Sequence, residues 1–258
     1  MDIRESIRIE GMPFPKPLPV PLELLRRIFS EHGLYFEDMG NKRSVKFTGS
    51  YEPTRLSKVQ EIVDDQHWDV KVSRTIWPEY DDSDYQRAPL WEVLFPDLWI
   101  DEIDFSSTCG ECGRKRIVVD TSVRVSEVKS KKPLHSVNGQ FKIVSAEVKA
   151  AIEESLVGAC FLPFDQQERY FYLQAMCNLG PLILHDNEVV AHSGECSKCN
   201  LPKFTTLFGP LRYGKSRWSG EDIVHESFHN SCLFTPLAFD LLRTFDQDLS
   251  RVGIALLD

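Results

Sequence analysis

No stretch of this 258-residue sequence is apolar for long enough to span a bilayer, and it does not open with a charged start followed by an apolar run. Membrane insertion and secretion are therefore not expected, and the cytoplasm is the expected compartment. Positive charge is also in short supply: 30 Lys and Arg stand against 39 Asp and Glu, a net charge of −9. That balance argues against a general nucleic-acid binder, which neutralises phosphates with lysine and arginine. There is no GxSxG elbow, no Walker loop and no GxGxxG after a strand, so the common signals of a hydrolase nucleophile or a phosphate cradle are missing. "RYGKS" at 212–216 lacks the preceding glycine spacing and reads as a turn. Prolines are plentiful in "PFPKPLPVP", but at 13, 15, 17, 19 and 21 they never stand three apart. A PxxP ligand is excluded, and an extended lead-in or edge segment is expected instead.

The length suits one large domain or two closely joined smaller ones, with enough chain for a sizeable core. Pro21 is placed to start a helix carrying Leu22, Leu25, Ile28 and Phe29 and ending at Gly33; a second helix is expected over 54–65 and a strand at "WDVKVSRTIW". "LWEVLFPDLWI" is apolar and expected inside. "RIVVDTSVRVSEV" alternates like a strand or hairpin, Ser145 caps a helix, and "GACFLPF" and "RYFYLQAM" read as strands. Ser219, followed by Glu221 and Asp222, reads as the start of another helix, and Thr235 with Pro236 as the start of the last. A capped helix, a short link and a strand recur at 20–36, 144–162 and 234–257, which hints at repeated α/β units.

Charge is unevenly spread. Residues 52–104 hold fourteen acids against five bases, whereas 114–132 hold seven bases (Arg114, Lys115, Arg116, Arg124, Lys129, Lys131, Lys132) against Asp120 and Glu127. The first region offers an acidic surface to a basic partner; the second offers a basic one.

Seven cysteines is an odd number, and four of them form two CxxC pairs: Cys109 with Cys112, and Cys196 with Cys199. In a reducing compartment such pairs are metal ligands more often than disulfides. Two knuckles complete a tetrahedral four-sulfur zinc site, which would be closed and structural. Gly110, Gly113 and Gly194 suit the tight turns, and Lys115 or Lys198 would offset the thiolate charge. His192, four residues before Cys196, is an alternative ligand. The remaining Cys160, Cys177 and Cys232 lie in apolar settings and are expected as buried thiols.

A second metal pattern competes. "HESFH" at 225–229 matches HExxH, in which two histidines one helical turn apart bind zinc and the glutamate, here Glu226, acts as base. No glutamate or histidine follows His229 to serve as third ligand.

With "CGECG", the distant "CSKCN", "IVSAEVKAAIEE" before a strand and "WSGEDI" before the last helix, residues 80–258 resemble the double-CXXCG motif family. These are myxobacterial-type paralogues related to proteins regarded as immunity proteins of polymorphic toxin systems. Asn200 departs from the pattern, standing where the family has glycine. The resemblance implies a cytoplasmic, zinc-stabilised protein that acts by binding a toxin-like protein and has no catalytic residues.

The expected fold is α+β, mixed helices and antiparallel strands with an inserted zinc-knuckle or zinc-ribbon site. The expected division is an acidic part at 1–100 and a zinc-binding part at 101–258. A metallopeptidase using HESFH and a zinc-ribbon module touching nucleic acid through 114–132 are the competing functions.

Overall fold

The computed structural model describes residues 1–12, 17–39, 43–100, 106–112, 115–117, 124–138, 141–185, 188–190, 194–200, 203, 206–207, 209–229 and 231–258. The chain forms two compact units, Met1–Glu79 and Tyr80–Asp258. Both mix helices with largely antiparallel sheet.

The first unit runs β1 (Asp2–Gly11), α1 (Leu22–Glu31), β2 (Glu37–Asp38), β3 (Ser44–Ser50), α2 (Arg55–Asp65) and β4 (Val70–Glu79). Its sheet order is β2-β3-β1-β4, with every pairing antiparallel. This is the split β-α-β arrangement, in which both crossovers put their helices on one face. Alternation decides what that face buries. Ile7, Ile9 and Val45 point at Leu25, Phe29, Val59, Ile62 and Val63 of the helices. Glu5 shares their side of β1 and is fully buried, where Arg55 and Arg74 neutralise it. α1 begins directly after Pro21 and is followed by Gly33 at φ +72°, a backbone that favours glycine.

The second unit opens with α3 (Asp82–Arg87), β5 (Leu90–Leu94) and β6 (Asp97–Leu98). A short hairpin, β7 (Ser106–Thr108) and β8 (Lys115–Ile117), comes next, then β9 (Leu134–Val137), β10 (Phe141–Ser145), α4 (Ala146–Ser155) and β11 (Ala159–Pro163). The second half holds β12 (Tyr170–Ala175), β13 (Cys177–Asn178) and another short hairpin, β14 (Val189–Val190) with β15 (Thr206–Leu207). It ends with β16 (Leu211–Tyr213), β17 (Ile223–Glu226), β18 (Ser231–Phe234), α5 (Pro236–Arg243) and β19 (Ser250–Leu257).

These halves repeat one another. One sheet is ordered β11-β12-β10-β9-β6 and the other β13-β17-β18-β5-β19-β16. In each, a hairpin (β9–β10 or β17–β18) leads through a capped helix to a strand two places away. The intervening place is taken by a strand from the other half: β12 in the first sheet, β5 in the second. Register agrees as well as order. Ile143 faces Tyr172 as Leu233 faces Glu92, and Phe161 faces Leu173 as Arg251 faces Val93; one bulge at Arg251/Gly253 separates the ladders. The caps match too: Ser145 and Thr235 share φ −67° and ψ 163°, and each side chain accepts from the backbone N–H three residues on. Such caps are worth about 1 kcal/mol each.

Both helices share a core with the two sheets, through Val148, Ile152, Ala238 and Leu242 against Leu134, Val144, Trp91 and Phe234. Each sheet carries a further cluster on its other face, around Ile143 and Tyr172 in one and around Leu233 and Tyr213 in the other.

Several sequence expectations are corrected. The division falls at Glu79/Tyr80 rather than 100/101, because β5 is a central strand between β18 and β19 and belongs to the second unit. Of the recurring helix-and-strand stretches, 144–162 and 234–257 are equivalent, whereas 20–36 belongs to the different topology of the first unit. No helix starts at Ser219. Residues 223–226 are strand, their apolar Ile223 and Val224 each claimed by a core cluster. Cys232 is buried, but Cys160 and Cys177 are only half-buried. Pro13 and Pro15, and residues 118–123 of the alternating basic segment, lie outside the described residues.

Candidate metal centre

Each CxxC pair sits in the turn of one of the two short hairpins, Cys109 and Cys112 between β7 and β8, Cys196 and Cys199 between β14 and β15. The knuckles occupy equivalent places in the two repeats, so one topology delivers two thiols twice. All four Sγ atoms lie within 4.8 Å of one another. Equivalent cysteines stand close: Cys109 to Cys196 and Cys112 to Cys199 are each 3.8 Å, Sγ to Sγ. Four sulfurs at about 2.3 Å from one tetrahedral metal stand about 3.8 Å apart. The cluster therefore fits a single metal ion, and all four thiols are free of disulfides. Among the described residues it is the only group of three or more Cys, His, Asp or Glu arranged to hold an ion.

The surroundings favour thiolate. Backbone N–H groups of Cys112 and Glu111 aim at the Cys109 sulfur and, with its cysteine neighbours, bring its pKa down to about 6. Cys196 is buried while Cys112 and Cys199 are half-buried. The knuckles are also joined by polar contacts. Glu111 accepts from the Ser197 hydroxyl at 2.7 Å and pairs with Lys203 at 3.2 Å, which lowers the Glu111 pKa and raises that of Lys203. Lys198 reaches over the first knuckle, its Nζ 3.4 Å from where a Cβ on Gly110 would stand. Lys203, whose pKa is raised by Glu111 and also by Cys196 and Cys112, is the cation placed to offset thiolate charge; the side chain of Lys115 and all of Gly113, Arg114 and His192 lie outside the described residues. The second knuckle closes through a 2.8 Å bond from Asn200 N–H to Cys196 C=O. Asn200 has φ +58°, which explains why asparagine serves in a glycine-like position.

HESFH does not form the helical pair its spacing predicts. His225 and Glu226 end β17, where neighbours point to opposite faces, and Ser227–His229 form a turn. Two histidines four apart converge on one metal only when a helix stacks them. Glu226 is instead fully buried and structural. Its carboxylate accepts from the Tyr213 hydroxyl (2.9 Å) and from the N–H groups of Phe228 (2.8 Å) and His229 (2.8 Å), tying down the β17–β18 turn. Burial and the Glu226 charge together push the Tyr213 hydroxyl far above its ordinary pKa.

The basic segment is partly engaged with carboxylates: Arg124 lies 3.9 Å from Glu168, and Lys132 lies 3.7 Å from Asp246 and 3.6 Å from Asp248. No described helix is long and apolar enough to cross a membrane. Sequence reasoning found the four thiols by spacing; it missed Glu111, Ser197 and Lys203, whose only signal is adjacency to the ligands. No family model, no curated protein and no solved structure matches the chain.

Proposed function

We propose that this protein is a zinc-stabilised, non-enzymatic binding protein of the immunity type, which neutralises a cognate toxin by occupying it. The observation that carries the reading is the closed donor set. Four thiolates at tetrahedral spacing leave no open coordination position, so the metal shapes the fold and does no chemistry on a substrate. We assign zinc: four soft sulfurs in a tetrahedron select zinc or iron, all four lie within 4.8 Å of one another, too close to span a multinuclear cluster, and metal analysis distinguishes zinc from a single iron. Two hairpins supplying one pair each support a zinc-ribbon form of ligation.

Function then falls to the surfaces. In the first unit, α1 and α2 flank a groove of about 380 Å³ lined by Ile28, Ile62, Glu61 and Asp65, together with His32 and with Lys58, which pairs with Glu52. Both acids are exposed, which suits a basic side chain of a protein partner. The test is co-expression with a toxin encoded beside the gene. Growth protection that weakens in Glu61→Lys/Asp65→Lys supports the reading. Absence of protection, or metal-dependent peptide cleavage by the purified chain, overturns it.

A further inference from the structure

We infer that the outer edge of β4 is a self-association site, at which a second copy of this chain adds its own β4 antiparallel. The directions of the backbone groups follow from three bonds outside the ladder. Tyr51 N–H donates to Ile3 C=O and Gly11 N–H to Arg43 C=O, so odd residues of β1 face β3; Met12 N–H donates to Asp69 C=O, so even residues face β4. The β1–β4 register is unbroken from Asp2 opposite Glu79 to Gly11 opposite Val70. Lys71, Ser73, Thr75 and Trp77 therefore bond to β1, and Val72, Arg74 and Ile76 turn their N–H and C=O groups outward. β4 is the last strand of its sheet, and among the described residues no backbone bond reaches those three outward groups. Pro78 lies on the same outward set, the place where a strand tolerates a missing donor.

A ten-residue edge with no bulge is what soluble proteins generally avoid or cover. Its side chains favour a copy of itself as the cover. Antiparallel pairing centred on Thr75 sets Lys71 opposite Glu79 of the second copy, and Glu79 opposite Lys71. Both are exposed; among the described residues Lys71 makes no ion pair, and Glu79 pairs only with Arg4, at 3.4 Å. The same register sets Arg74 opposite Ile76 and Val72 opposite Pro78, joining outward groups to outward groups. Centring on Arg74 instead would oppose Lys71 to Trp77 and Arg74 to itself, losing the charge match.

The inference does not depend on the toxin-binding reading, and its test needs no partner. Sedimentation velocity of the full chain over a concentration series compares wild type, Lys71→Glu, Glu79→Lys and the double exchange. Wild type is expected to dimerise. Each single reversal places like charges directly across the ladder twice and weakens the dimer by about tenfold; the double exchange restores it. A chain that is monomeric at every concentration, including one monomeric until another protein is added, overturns the inference. So does a dimer indifferent to both single reversals.

Discussion

Removing the metal is expected to loosen two hairpins without unfolding the protein. The direct perturbation is Cys196→Ser with Cys199→Ser, which deletes one knuckle. By sequence, the metal closes a loop of 84 residues from Cys112 to Cys196, and a chain-entropy estimate for such a loop is about 4.6 kcal/mol. The cross-link constrains the unfolded ensemble, in which no sheet pairing exists, so the full separation applies. Metal held by a single knuckle in the unfolded chain reduces the net effect, so this is an upper bound. Among the described residues of the two hairpins, only Leu207 packs against a buried cluster, so little of the described core is lost with it. Spread over the 179 residues of the second unit, a loss of this size lowers the midpoint by roughly 10 °C. Thermal scans by far-UV circular dichroism, with zinc measured per chain, test the estimate. Limited proteolysis should show new cleavage within 106–117 and 189–207. Loss of the far-UV signal at room temperature, as in a zinc finger, would refute the reasoning, as would an unchanged midpoint with zinc still bound.

Three further outcomes are expected. Glu226→Gln replaces an acceptor oxygen that serves Tyr213, Phe228 and His229 with a donor, and costs about 2 to 3 kcal/mol by denaturant titration while zinc content stays at the wild-type value. Glu5→Gln leaves Arg55 and Arg74 without their buried counter-charge and destabilises the first unit by about 3 to 5 kcal/mol, read from amide exchange in Met1–Glu79. Burial holds His135 and His225 below the ordinary histidine pKa, so the unfolded chain binds protons at a pH where the folded chain does not. Stability is full above about pH 6.5 and is lost as pH falls from there toward the folded-state values. Comparing His135→Phe/His225→Val with its parent in the metal-free cysteine background should show a flatter acid limb; equal slopes refute this assignment.

What could be read in the sequence is what is decided locally. Ser145, Thr235 and the stretch after Pro21 announce helices because a cap needs only the next three residues, and the CxxC pairs announce ligands because each knuckle is one turn. HESFH misled for the converse reason. Its spacing suits a helix, but residues 223–226 pair with β13 and β18, and tertiary pairing outweighs local preference. Likewise the domain boundary was misplaced because nothing within residues 90–94 tells that their neighbours in the sheet are 231–234 and 250–257.

The exchange of β5 and β12 between the repeats has a consequence for synthesis. The first sheet cannot close until β12 has left the ribosome, and β5, with Leu90, Trp91 and Val93 destined for burial, waits for the eight-residue β19. The second unit therefore gains its native topology only once residues 250–257 have emerged, through contacts of long sequence separation. During that interval its partly assembled sheets expose open edges, and chaperone dependence should be greatest for this unit rather than for the first, whose strands all lie within 79 residues.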